Sequence, residues 1–99
     1  MTFVQIIDYR TSRYDEMSKL DDEWEAAAGA DARVRRVLTG QDRDNPGRYV
    51  TMAFFDSYES AMENSNLPIT QEYAQKMMEL ADGPATFTNL DIRDDRTPA

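Results

Sequence analysis

Two short stretches, FVQIIDY over residues 3–9 and YVTMAFF over 49–55, limit the folds open to this chain most strongly. Both are dense in β-branched and aromatic residues and short enough to be strands. Successive strand side chains point to opposite faces. The first stretch therefore sets Phe3, Gln5, Ile7 and Tyr9 on one side, with Val4, Ile6, Asp8 and Arg10 on the other. The second divides into Tyr49, Thr51, Ala53, Phe55 and Val50, Met52, Phe54. Apolar groups occur on both sides of each, so both faces of the sheet need cover.

The rest of the chain supplies helices for one face. Tyr14, Met17, Leu20, Trp24 and Ala27 or Ala28 recur at three- and four-residue spacing, which predicts a helix ended by Gly29. Ser12 or Thr11 is the expected N-cap, with Asp15 in the acidic place of a capping box. Arg33–Thr39 reads as a strand joined to Tyr49–Phe55 by GQDRDNPG. There Asn45-Pro46-Gly47 is turn chemistry, with Pro fixing φ and Gly open to positive φ. Asp56-Ser57-Tyr58-Glu59 repeats the cap pattern, acceptor first, and opens a short helix through about Glu63. Thr70 is the expected cap of a further helix bearing Tyr73, Met77, Leu80 and Ala81, ended by Asp82-Gly83-Pro84. Ala85–Ile92 is the last strand. One domain is expected over 1–93 and a flexible tail over 94–99.

The order β-α-β-β-α-β, with its second helical segment split, predicts a ferredoxin-like α+β fold with a four-stranded antiparallel sheet. Both helical segments then lie on one face. No helix remains for the other, and a bare apolar sheet face exceeds what a soluble monomer tolerates. The expectation is a homodimer packed through its sheet faces.

Charge and missing residue types narrow the function. Acidic residues outnumber basic ones by 19 to 11, for a net charge of −8. That field repels phosphate backbones and anionic lipid, so neither nucleic acid nor membrane is an expected partner. With no Cys and no His, thiolate nucleophiles, Cys- or His-built metal sites and the usual neutral-pH proton shuttle are absent. Asp21-Asp22-Glu23 and Asp94-Asp95 lack calcium-loop spacing and read as solvated charge, so no metal is expected. No run reaches the ~20 apolar residues needed to span a bilayer, and the start MTFVQIIDYR is unlike a signal peptide. The expected location is cytoplasmic.

The hairpin DNPGRYVTMAFFDSYESA, together with the split second helix before a final strand, resembles the dimeric α+β-barrel superfamily. The resemblance is greatest to antibiotic-biosynthesis monooxygenase-like domains, and covers roughly residues 2–92. It implies a dimer with a pocket between sheet and helices, and in some members oxygenation of phenolic polyketide-like substrates without metal or flavin. Other members degrade haem or isomerise lactones. Phe55 stands where many members carry Trp. The haem-degrading branch uses a first-strand Asn and a proximal His, whereas this chain offers Gln5 and Asp8 there and no His anywhere.

Chemistry without a cofactor needs a substrate that supplies its own electrons once deprotonated, and a site that orients it and stabilises the phenolate. The amide-rich stretch AMENSNLPITQEY supplies Asn64, Asn66 and Tyr73 as candidate donors, with Asp8 as a candidate base. Trp24, Phe54 and Met77 are candidate ligand-lining residues for a small apolar or aromatic molecule. Each also has a structural reading. Trp24 lies on an apolar helix stripe, the two Asn suit a helix joint, Tyr73 packs, and Asp8 pairs with an Arg. The alternative function is a non-catalytic small-ligand-binding or dimerisation module. RNA recognition shares the element order, but the stacking positions fall on Val50 and Met52. Arg33, Arg35 and Arg36 are then expected as an edge or salt-bridge row.

Overall fold

The computed structural model describes residues 2–98. Its elements are β1 (Phe3–Arg10), α1 (Tyr14–Ala28), β2 (Arg36–Gln41), β3 (Arg48–Phe55), α2 (Tyr58–Ser65), α3 (Pro68–Leu80) and β4 (Thr86–Asp91), with one 3₁₀ turn over Gly29–Asp31. The strands form one antiparallel sheet of order β2-β3-β1-β4, which is the ferredoxin-like arrangement expected. The two doubly apolar strands occupy its centre, paired Phe3 to Phe55 through Tyr9 to Tyr49.

This register sends the odd-numbered residues of β1 and β3 toward the helices. Tyr9 and Tyr49 pack with Met17 and Leu20 of α1 and Met77 of α3, and Ile7 borders the group. Phe3 and Phe55 pack with Ala61 of α2. Burying side chains of this size contributes about 1.5–3 kcal/mol each. Stacked rings reinforce the first cluster, with Tyr14 and Tyr49 centroids 4.3 Å apart and Tyr9 and Tyr49 5.9 Å apart. The even-numbered set, Val4, Ile6, Val50, Met52 and Phe54, joins neither cluster. Pairing places it on the opposite face beside Leu38 and Leu90.

Local boundaries depart from the sequence expectations where side chains find distant partners. Neither Ser12 nor Thr11 is the N-cap of α1; that position is Arg13, with no side-chain cap bond. Thr11 is buried instead. Its hydroxyl donates to the Leu80 carbonyl at 2.7 Å and accepts the Arg13 N–H at 3.0 Å, tying the exit of β1 to the end of α3. Asp56 does not cap α2, because it pairs with Arg35 at 2.6 Å. Ser57 caps it by accepting the Ser60 N–H. Thr70 does not cap α3. Pro68 opens that helix after an extended Leu67, where its missing N–H costs nothing. β2 begins at Arg36 rather than Arg33, since the Arg33 N–H bonds to Asn64. Arg33 pairs with Glu63, so two of the three expected arginines do form salt bridges. Gly29 ends α1 at φ 50, as its place predicts, while Gly47 keeps a negative φ in a turn closed by Arg48 N–H to Asn45 O.

Thr11 therefore carries two buried hydrogen bonds that valine, of similar shape, cannot make. Thr11→Val is expected to lower unfolding stability by about 1–3 kcal/mol. The urea midpoint should fall at unchanged slope, and Thr11→Ser should retain most of it.

Candidate functional site

The inner face of the central strand pair runs large, small, large. Phe3 and Phe55 fill one end and Tyr9 and Tyr49 the other; between them lie Gln5 opposite Ala53 and Ile7 opposite Thr51. The short side chains leave a cavity of about 120 Å³ between sheet and helices. Gln5, Ile7, Thr51 and Ala53 form its floor, Asp21 and Trp24 come from α1, and Asn64, Thr70 and Tyr73 from α2 and α3. Val37, 44% exposed on edge strand β2, and exposed Glu25 also line it and mark its mouth.

Helix geometry explains these positions. Asp21 and Trp24 are three residues apart on α1, as are Thr70 and Tyr73 on α3, so each pair shares a face. The two faces are joined by specific bonds. The Trp24 Nε1–H donates to Thr70 Oγ1 at 2.9 Å, and the Tyr73 hydroxyl donates to Asp21 Oδ1 at 2.5 Å. The Trp24 and Tyr73 rings touch at 6.4 Å between centroids. Thr70, expected as a helix cap, thus holds the indole in place.

Asn64 is 6% exposed within α2 rather than beyond its end. Its Oδ1 accepts the Arg33 N–H at 3.0 Å. The amide NH₂ has no acceptor among the described residues. Asn66 is exposed at the C-cap of α2 and stays outside the cavity. Asp8 lies on the opposite sheet face, held by Arg48 at 2.6 Å. Arg48 also holds Asp42 at 2.9 Å, which keeps the Asp42 carboxyl below the usual range. Phe54 is on that same outer face, and Met77 is buried in the core beneath Tyr9 and Tyr49. The structure therefore gathers Trp24, Tyr73 and Asn64, and leaves Asn66, Asp8, Phe54 and Met77 elsewhere.

Asp21 was read as solvated charge, and the structure corrects that. Burial pushes its carboxyl above the ordinary carboxylate value, against the Tyr73 hydrogen bond, and Asp22 and Glu25 push the same way. Burial and the Asp21 charge likewise drive Tyr73 far up. Burial raises the Tyr9 hydroxyl to about 12. The overlooked signal was spacing: Asp21 sits four residues after Met17 and three before Trp24, on the apolar stripe. Among the described residues no group of three His, Cys, Asp or Glu is placed to hold a metal ion. No helix is long and apolar enough to cross a membrane.

The architecture is that of the antibiotic biosynthesis monooxygenase fold. Rv0793 from Mycobacterium tuberculosis superposes with TM-score 0.78 at 18% identity, covering 98% of this chain and all of that one. SnoaB, a cofactor-independent oxygenase from Streptomyces nogalater, superposes with TM-score 0.79 at 14% identity, covering 95% of each chain. An antibiotic biosynthesis monooxygenase superposes at 0.72 with 13% identity, covering 95% of this chain and all of that one. Neither a protein-family model nor a curated protein sequence matches the chain.

A raised carboxyl pKa means the fold disfavours the charged form. This penalty is present in full above the folded-state pKa and vanishes as pH falls below the unfolded value of about 3.9. Asparagine keeps an acceptor for Tyr73 without the charge. Asp21→Asn is therefore expected to melt at a higher temperature than wild type at pH 7, with the gain shrinking toward pH 4 in calorimetry.

Proposed function

We propose that the protein is a homodimeric, cofactor-independent oxygenase acting on a small phenolic aromatic compound held between sheet and helices. The observation that carries this reading is the cavity itself. One aromatic wall, Trp24, meets a carboxylate–phenol pair, Asp21–Tyr73, and an amide donor, Asn64. At about 120 Å³ it is below the ~300 Å³ of typical drug-sized sites, which suits a compound of one or two rings. The likeness to SnoaB supports the same class of reaction.

The substrate supplies the electrons. Loss of the hydroxyl proton gives a phenolate whose ring carbon reduces dioxygen. A C–O bond forms, the O–O bond breaks, and the second oxygen leaves as water. One phenol with a free para C–H and one O₂ thus give one quinone and one water. The protein orients the ring against Trp24, and the Asn64 NH₂ stabilises the oxygen that gains charge. Purified protein with a polyphenol panel is expected to take up oxygen in proportion to quinone formed, and Asn64→Ala to slow turnover about 10²-fold. No uptake above buffer across the panel, with no compound raising the melting temperature, would reject the oxygenase and leave a dimerisation module.

The dimer follows from the second sheet face. Ile6, Leu38, Met52, Phe54 and the exposed Leu90 form an apolar surface without a helix over it, and a second copy of this face is its natural cover. Light scattering at micromolar concentration should give about twice the 11.4 kDa chain mass. Phe54→Glu should halve that mass; a wild-type mass of one chain would refute the dimer.

A further inference from the structure

The polarity of the cavity carries a consequence for what it binds. The Tyr73 hydrogen is committed to Asp21, so its oxygen faces a ligand as an acceptor. This reverses the donor role expected from the sequence. Trp24 Nε1–H is committed as well, to Thr70. Asp21 Oδ2 has no hydrogen-bond partner among the described residues, on a side chain that lines the cavity. None of the described lining residues is Lys or Arg, while both charged ones, Asp21 and Glu25, are acids. Asp21 faces Asp22, Glu25 and Tyr14 from its own helix, Tyr73 from α3 and Tyr9 from β1. No cation among them offsets its charge.

We propose that Asp21, acting through the Tyr73 hydroxyl, is the proton acceptor of this cavity and restricts it to aromatic hydroxyl compounds carrying no negative charge. The proposal rests on the oxygenase reading for its chemistry. The ligand O–H donates to Tyr73 Oη. As that bond breaks, its proton passes to Tyr73 and the Tyr73 proton to Asp21 Oδ1. The electron pair stays on the ligand oxygen. The products are a phenolate and a neutral carboxylic acid, with no oxidant consumed in this step. Burial that disfavours the Asp21 charge makes it a stronger base than an exposed carboxylate. An anionic ligand would add a third negative charge to a site already holding two.

The test compares three probes of one shape, 4-ethylphenol, tyramine and 4-hydroxyphenylacetate, by calorimetry against the intact protein and its Asp21→Asn and Tyr73→Phe variants. Wild type is expected to bind the neutral and cationic phenols at least about tenfold more tightly than the carboxylate. Asp21→Asn should bring the three within about threefold of one another. It should also remove the acid limb of the pH profile of oxygen uptake on 1-naphthol, which has a free para C–H. Tyr73→Phe should keep the charge discrimination and lose the preference for 4-ethylphenol over ethylbenzene. Unchanged discrimination and an unchanged pH profile in Asp21→Asn would overturn the Asp21 role while leaving the oxygenase reading intact. Failure of all three probes to bind folded wild-type protein would overturn both.

Discussion

Everything in this molecule depends on the antiparallel pairing of β1 with β3. Side chains alternate along a strand, so a slip of one residue would exchange the inner and outer sets completely. In the observed register the ring pairs Phe3–Phe55 and Tyr9–Tyr49 stand at the two ends of the inner face. They act as pillars on which the helices rest. The span between them, Gln5 and Ile7 beside Ala53 and Thr51, fills less of the space under the helices than the ring pairs do, and the cavity is the space left over. Core and site are thus two results of one alternation of side-chain size.

The helices answer that gap with polar groups spent on each other. Two hydrogen bonds between α1 and α3, Trp24 donating to Thr70 and Tyr73 donating to Asp21, cross the roof. Each satisfies a donor that would be costly to leave unpaired in a half-buried place. A roof made this way has fixed polarity. Its indole and phenol donors are already used, while the Asn64 NH₂, also in the lining, has no acceptor among the described residues. Asn64 is itself anchored, because its carbonyl holds the chain at Arg33 just ahead of β2.

The order of elements and the two-faced strands were legible in the sequence because periodicity is a local property. So was the α1 stripe, and with it Trp24. What escaped was whatever depended on a partner far along the chain. Thr11, Asp56 and Thr70 are good cap residues by type, yet Leu80, Arg35 and Trp24 claim their side chains. β2 starts three residues late because Asn64 takes the Arg33 N–H. Asp21 was hidden by its neighbours: within Asp21-Asp22-Glu23 it reads as surface charge, and only its rotation about α1, set by Tyr73 from 52 residues away, distinguishes it. Asn64 and Asn66 look equivalent in ENSNLP. About half a turn of helix separates a buried bond from an exposed cap.

The wall position of Trp24 has an optical consequence. It is the sole tryptophan in the chain, so emission excited at the red edge of protein absorbance comes from one indole. That indole lines the cavity, is held by Thr70 and lies 6.4 Å from the Tyr73 ring. The protein carries a built-in fluorophore in contact with whatever enters, and occupancy becomes a change of colour and intensity without any label.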